Sequence, residues 1–135
     1  MSISAAVMCI ALNVYHEARG EPLAGKVAVT QVVLNRVESP LFPNTPCEVI
    51  KQGHYDGNIP IINQCQFSWW CDGKSDTPKD DIEFDKALSL AKNIYNNYYY
   101  DITEGSIYYH SINIEPYWAK HYTKTVTIDN HVFYH

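Results

Sequence analysis

The sequence predicts one α+β domain over residues 1–135, mainly helical, with a small antiparallel sheet. Two observations carry this. Apolar residues at helical spacing fill the first third of the chain and return in a long segment near residues 77–99, while the end of the chain alternates in short, β-rich runs. Length supplies the third: 135 residues can bury roughly two thirds of the unfolded surface around a single core.

From Ser4 to Ala18, apolar residues occupy nearly every face, as in a helix at the centre of a domain. Asn13 and Glu17, four apart, interrupt it on one stripe that Cys9 extends. Gly20 can supply the left-handed residue that ends the helix, and Pro22 prevents its resumption. A second helix should run from Pro22 to about Val37; its β-branched content suits a strand, but its length and the four-residue spacing of Val29, Val33 and Val37 favour a helix. "TPCE", Thr45 to Glu48, has the form of a capping box and opens a short helix to about Gln52. Gly53 to Gln64 reads as a surface loop.

"CQFSWWCDG" alternates as a half-buried strand, with Gln66, Ser68 and Trp70 on one face and Cys65, Phe67, Trp69 and Cys71 on the other. Thr77 and Pro78 then start a helix with acidic residues in its first turn, ending near Tyr99. "SIYYH" after Gly105 reads as a strand, and "TKTVTIDNHVFYH" as two strands around an Asp129–Asn130 turn.

The net charge of −5, with no run of Lys or Arg, argues against a nucleic-acid partner. No stretch approaches the roughly 20 apolar residues of a membrane span, so no membrane insertion is expected. The first fourteen residues lack a basic segment and a small-residue cleavage site, so they read as a core helix rather than a signal peptide. The four cysteines, at 9, 47, 65 and 71, form neither a CxxC pair nor a zinc spacing. Without a secretion signal, reduced thiols are expected. Eleven tyrosines and three tryptophans supply groups that are both apolar and hydrogen-bonding, suited to a core or to a sugar-binding groove.

"YHEARGEP", Tyr15 to Pro22, concentrates charge where the first helix ends. Glu17 should sit half buried among apolar residues at the negative end of a helix dipole, and each factor raises a carboxyl pKa. A carboxylic acid that keeps its proton near neutral pH can protonate a poor leaving oxygen. A glutamate paired with Arg19 or His16 merely to close the helix would show the same spacing, and spacing leaves both readings open. Glu21 is a possible second carboxylate; on an unbroken helix it would lie roughly 6 Å from Glu17. Gly20 and Pro22 should turn the chain between them, which favours a cap or ion-pair partner for the next helix. Asp72, in a turn beside the aromatic strand, is the reserve candidate. "HEARG" lacks the second histidine of H-E-x-x-H, and a site joining His16, Glu21 and His110 would need distant residues; no metal or other cofactor is expected.

Three blocks together resemble the SleB-type cell wall hydrolases, a family of spore cortex-lytic enzymes and related phage endolysins. They are "ALNVYHEARGEPLAGKVAVTQVVLNRVESPLFPNTPCEVI", "CQFSWWCDGKSDTP" and "GSIYYHSINIEPYWAKHYTKTVTIDNHVFYH". The resemblance implies a lysozyme-like fold, related to goose-type lysozymes and lytic transglycosylases, that cleaves the β-1,4 bond between N-acetylmuramic acid and N-acetylglucosamine. It implies Glu17 as the catalytic acid, serving next as the base that takes a proton from the muramic C6 hydroxyl and leaves a 1,6-anhydro end. Trp69 or Trp70 is then expected to stack on sugar, and Gln66, Ser68, Tyr108 and His110 to bind its polar groups.

The expected partner is the glycan strand of bacterial peptidoglycan, bound by a monomer. The chain looks like the single-domain phage form, made in the host bacterial cytoplasm and acting on the wall after release. A hydrolytic muramidase using a second carboxylate, a non-catalytic peptidoglycan-binding module and a metal-dependent peptidase around His16 are the competing readings.

Overall fold

The computed structural model describes residues 3–135. Helix α1 (Ala5–Ala18) is its hub, with Val7, Ile10, Ala11, Val14, Tyr15 and Ala18 all buried. Ser4 caps it by accepting from the Val7 amide at 3.2 Å, and Gly20, at φ +91°, supplies the left-handed turn after its end. Helix α2 (Leu23–Glu38) is helical despite its β-branched residues, because Val29, Val32 and Val33 are fully buried and packing overrides propensity. Helix α3 (Pro46–Ile50) begins with the expected capping box: the Glu48 amide donates to Thr45 Oγ1 at 3.3 Å, and Thr45 Oγ1 donates to Glu48 Oε1 at 2.8 Å. Helix α4 (Asp81–Asn96) lays Ala87, Ala91 and Ile94 towards the core.

A hairpin, β1 (Gly53–Asp56) and β2 (Ile59–Cys65), follows α3. A three-stranded antiparallel sheet in the order β3 (Tyr108–Ser111), β5 (His131–Tyr134), β4 (Lys124–Ile128) closes the fold. Tyr109 pairs with Phe133, which is fully buried with Ala28 and Val32 of α2. Val132 and Tyr134 alternate to the other face, against Trp118 and Ala119 of a short 3₁₀ helix, Tyr117–His121.

Four sequence expectations need correction. Residues 53–64 form a hairpin with Gly57 at φ +63° in its two-residue turn, not a loop; most of its residues are exposed, so no apolar alternation marks it. The strand expected over Cys65–Cys71 stops at Cys65 and gives way to a 3₁₀ turn, Ser68–Cys71. Six extended residues would span roughly 20 Å, whereas the disulfide between these cysteines holds their Cα atoms 6.1 Å apart. Helix α4 starts at Asp80 as cap, not Thr77, because the amides of Lys79 and Asp80 both donate to the buried Tyr15 hydroxyl at 3.1 Å. It ends at Asn96, three residues before the expected Tyr99.

The cysteines, expected reduced, are all paired: Cys9 with Cys47, tying α1 to α3, and Cys65 with Cys71. The fold brings the first pair to a Cα separation of 5.4 Å across 38 residues of sequence, a proximity no local pattern announces.

Three polar residues on α2 position the chain that leads into β3. Gln31 Nε2 donates to the Tyr100 carbonyl at 2.8 Å, and its Oε1 accepts from the Ile102 amide at 3.0 Å. Asn35 Nδ2 donates to Asp101 Oδ2 at 2.8 Å and to the Ser106 carbonyl at 3.0 Å, and Arg36 Nε donates to the Ile107 carbonyl at 2.8 Å. One face of α2 thus satisfies four backbone groups of residues 100–107, the carbonyls of Tyr100, Ser106 and Ile107 and the amide of Ile102.

Chain entropy predicts that opening Cys9–Cys47, with 38 residues of separation, costs about 4 kcal/mol and opening Cys65–Cys71, with a separation of 6, about 2 kcal/mol. Denaturant midpoints of Cys9→Ala/Cys47→Ala and Cys65→Ala/Cys71→Ala should fall in that order. Burial would raise the Asp101 carboxyl, but hydrogen bonds from the Thr103 and Asn35 side chains and the Thr103 and Gly105 amides hold it below its ordinary value. Its contribution is therefore full above the unfolded-state pKa and lost as pH falls through the lower folded value. Asp101→Asn should lower stability at pH 7, and urea titrations should show the deficit shrinking in acid.

Candidate active site

Glu17 is the penultimate residue of α1, and the end of that helix faces a cavity of about 340 Å³. Each wall comes from a different element. Strand β3 supplies Tyr108 and Tyr109, the last turn of α2 supplies Arg36, and the segment before the first 3₁₀ turn supplies Gln66 and Phe67. Trp118 and Tyr122, from the second 3₁₀ helix and its cap, close the side.

The Tyr109 hydroxyl donates to Glu17 Oε1 at 2.5 Å. Burial raises the Glu17 carboxyl above its ordinary value; the Tyr109 hydrogen bond and the charges of Arg36 and His16 oppose this without cancelling it. Tyr109, itself buried beside that carboxylate, has its pKa pushed far up and remains a donor. Arg36, only 5% exposed, sits among the rings of Phe42, Phe67 and Tyr108, with its guanidinium carbon 4.9, 5.3 and 5.8 Å from their centroids. Burial lowers its pKa, yet an arginine so placed stays charged. Glu17 therefore has one neutral donor in contact and one fixed positive charge nearby: its acid form is favoured by desolvation, and its carboxylate is stabilised when formed.

Tyr108, Trp118 and Tyr122 form an aromatic wall beside this carboxyl, with the Tyr108 and Tyr122 centroids 4.2 Å apart and Trp118 6.0 Å from Tyr108. Ring faces with hydroxyl and indole edges suit the apolar face and hydroxyl rim of a sugar.

The structure brings three of the expected residues, Glu17, Gln66 and Tyr108, to one cavity. Trp69 lies elsewhere. It is buried, stacks on His16 at 4.6 Å and donates its indole N–H to Asn13 Oδ1 at 2.9 Å, so its faces are closed to a sugar. Trp70 donates to the Tyr55 hydroxyl at 2.8 Å and carries the Lys51 ammonium over its ring. Ser68 is exposed on the 3₁₀ turn, outside the cavity wall. His110 Nδ1 donates to the Ser111 carbonyl and its Nε2 accepts from the Tyr134 hydroxyl, both at 2.7 Å, which commits the ring to the sheet.

Neither reserve carboxylate reaches the cavity. Glu21 accepts from Asn130 Nδ2 at 2.9 Å and lies 3.2 Å from His131 Nδ1, tying the α1–α2 turn to the β4–β5 turn. Burial lowers the His131 pKa more than Glu21 raises it, and its Nδ1 sits off hydrogen-bonding geometry, so this is a neutral contact more than an ion pair. Asp72 accepts from the Lys74 amide at 2.9 Å, an ordinary turn bond.

Arg36, Phe67, Tyr109, Trp118 and Tyr122 escaped the sequence reading. A solitary arginine in the apolar run of α2 was the available signal for Arg36, and strand alternation distinguishes Tyr109 from Tyr108 and His110. Nothing local marks Trp118 or Tyr122.

A carboxyl at a helix end, in a desolvated cleft with an aromatic wall, is the equipment of a glycan-cleaving fold. A family model described as Cell Wall Hydrolase matches residues 20–134, and the chain belongs to that family. The spore cortex-lytic enzyme of Bacillus subtilis (strain 168) is 54% identical over 44 residues, 33% of this chain and 14% of that protein. That of Oceanobacillus iheyensis is also 54% identical over 44 residues, 33% of this chain and 16% of the relative. The match thus spans about a seventh of the length of these curated relatives. Among solved structures, the catalytic domain of the germination-specific lytic transglycosylase SleB from Bacillus anthracis is similar at a TM-score of 0.70 and 29% identity, over 99% of this chain and 98% of that one. The catalytic domain of the Bacillus cereus SleB protein gives 0.67 and 30%, over 96% and 89%. The fold is lysozyme-like α+β, as expected.

Removing the hydroxyl in Tyr109→Phe deletes the largest influence that lowers the Glu17 pKa. The Glu17 titration, followed by NMR of the side-chain carboxyl carbon, should move to higher pH, with the helical circular-dichroism signal unchanged.

Proposed function

We propose that the protein degrades peptidoglycan by cleaving the β-1,4 bond between N-acetylmuramic acid and N-acetylglucosamine, as a lytic transglycosylase with Glu17 as its one acid–base residue. The observation that carries this reading is the composition of the cavity: Glu17 is the one carboxylate lining it among the described residues. A two-carboxylate hydrolase needs a partner roughly 5–9.5 Å away, and Glu21 and Asp72 are engaged elsewhere. Family membership and the likeness to SleB catalytic domains support the same reading.

In the proposed reaction the Glu17 proton goes to the glycosidic oxygen as the bond from that oxygen to the muramic C1 breaks. The N-acetylglucosamine leaves with a free 4-hydroxyl. The carboxylate just formed, supported by the Tyr109 hydroxyl and the Arg36 charge, takes the proton of the muramic C6 hydroxyl while O6 bonds to C1. The 1,6-anhydro ring closes without water, and Glu17 ends protonated for the next cycle. The aromatic wall of Tyr108, Trp118 and Tyr122 takes the sugar face, and Gln66 binds its polar groups.

The molecule acts, in this reading, as a monomeric endolysin of the phage type, made in a host bacterial cytoplasm and lytic towards the wall after release. Two disulfides support work on the oxidising side of the membrane, where the wall lies.

Mass spectrometry of digested purified peptidoglycan should show anhydro-muropeptides. Reducing ends with a gain of water would make it a hydrolase, and new free amines an amidase or peptidase. Glu17→Gln should lower turnover by about 10³-fold or more. The same change removes a carboxyl whose raised pKa makes the folded state less stable as pH climbs from the unfolded value through the folded one. The inactive variant should therefore melt higher than the parent at pH 7, and an equal or lower melting temperature would contradict the desolvated-acid account.

A further inference from the structure

Four tyrosines stand within six residues at the end of α4, and all are exposed: Tyr95 by 42%, Tyr98 by 93%, Tyr99 by 48% and Tyr100 by 74%. No core position or catalytic role accounts for them. The segment is nevertheless held firmly. Asn97 closes α4 by donating to the Asn93 carbonyl at 2.9 Å, and Gln31 clamps the Tyr100 carbonyl and the Ile102 amide. The rings are thus presented on a backbone pinned at both ends of the segment, which lowers the entropic cost of binding.

Tyr95, Tyr98 and Tyr99 border a concavity of about 760 Å³, with the amides of Asn97 and Asn44 on its rim. The carboxylates bordering it are Glu38 and Asp101, and both Asp101 oxygens already accept hydrogen bonds. Exposed ring faces, phenolic hydroxyls and primary amides, with little charge, match a neutral ligand that has apolar C–H faces and many hydroxyl and N-acetyl groups. No Lys or Arg borders it, so a phosphate or an acidic peptide finds no counter-ion there.

Location separates this surface from the cleft. The Tyr15 hydroxyl holds the start of α4 at the C-terminal end of α1, so the end of α4 lies beside the N-terminal end, where Ala6 borders the concavity. Glu17 is eleven residues further along α1, roughly 16 Å away along the helix axis.

We propose that the Tyr95–Tyr100 surface is a second glycan-binding site that holds an N-acetylated sugar strand of the wall outside the catalytic cleft. It rests on the reading of the substrate as peptidoglycan. A protein of net charge −5 gains no general electrostatic hold on an anionic wall, so retention falls to stacking and amide hydrogen bonds.

The test compares Glu17→Gln with Glu17→Gln/Tyr98→Ala/Tyr100→Ala in co-sedimentation with insoluble peptidoglycan. Loss of the two exposed rings should weaken binding about tenfold. In the active background, Tyr98→Ala/Tyr100→Ala should slow digestion of insoluble wall while leaving turnover of short soluble muropeptide chains within about twofold. Equal sedimentation, or equal loss on both substrates, overturns the site. Sedimentation velocity showing a dimer that the substitutions dissociate assigns the surface to a second copy and also overturns it. If the parent cleaves no glycan, the catalytic reading fails, yet tyrosine-dependent retention of the Glu17→Gln protein on wall still upholds the binding site.

Discussion

The structure is organised around the contact between the Tyr109 hydroxyl and the Glu17 carboxyl at the buried end of α1. A carboxyl placed there loses water, which favours its proton, and gains one donor and a nearby guanidinium, which make the ionised form tolerable. Both influences serve the proposed reaction, in which this group gives up a proton and takes one back. Helix, sheet and aromatic wall are arranged so that a single side chain sits between these opposing pulls.

Holding that balance requires β3 to arrive at a fixed height over α1. The hydrogen bonds from Gln31, Asn35 and Arg36 set it, since each fixes a successive part of residues 100–107 before Tyr108 and Tyr109 begin the strand. A buried donor or acceptor left without a partner costs roughly 1–3 kcal/mol, so this polar face on α2 admits only the register in which all three are satisfied. The other walls are held covalently or by burial. The Cys65–Cys71 bridge curls the chain that bears Gln66 and Phe67, and Trp69 anchors that curl to His16 and Asn13.

The charged octet at the end of α1 is explained by the same geometry. His16 donates to the Asp76 carbonyl and Glu21 accepts from Asn130, so two of its ionisable groups fasten neighbouring segments, while Arg19 donates to the Tyr15 hydroxyl within the helix end itself. Glu17 alone faces the cavity. Charge sits against the core because the chain before α4 and the β4–β5 turn are both tied to the end of α1, and Glu17 is the member of the group left facing the cavity.

Local physics was legible where one segment decides its own structure. Helical periodicity located α1, α2 and α4, the Thr45 capping box located α3, and alternation with an Asp129–Asn130 turn located β4 and β5. Glu17 could be raised as a candidate because burial, helix polarity and chain direction are all properties of one helix end, while the choice between an acid and a helix-closing ion pair rested on the family resemblance. Placement between segments was illegible for the opposite reason. Which rings face Glu17, that Trp69 closes on His16 while Trp118 lines the cleft, and that Cys9 meets Cys47 all depend on how distant segments pack. The amino-acid order by itself determined the four helices, the C-terminal strands and Glu17 as a candidate acid; tertiary packing alone decided its partners, because contacts across 92 residues, as between Glu17 and Tyr109, leave no trace in any local period.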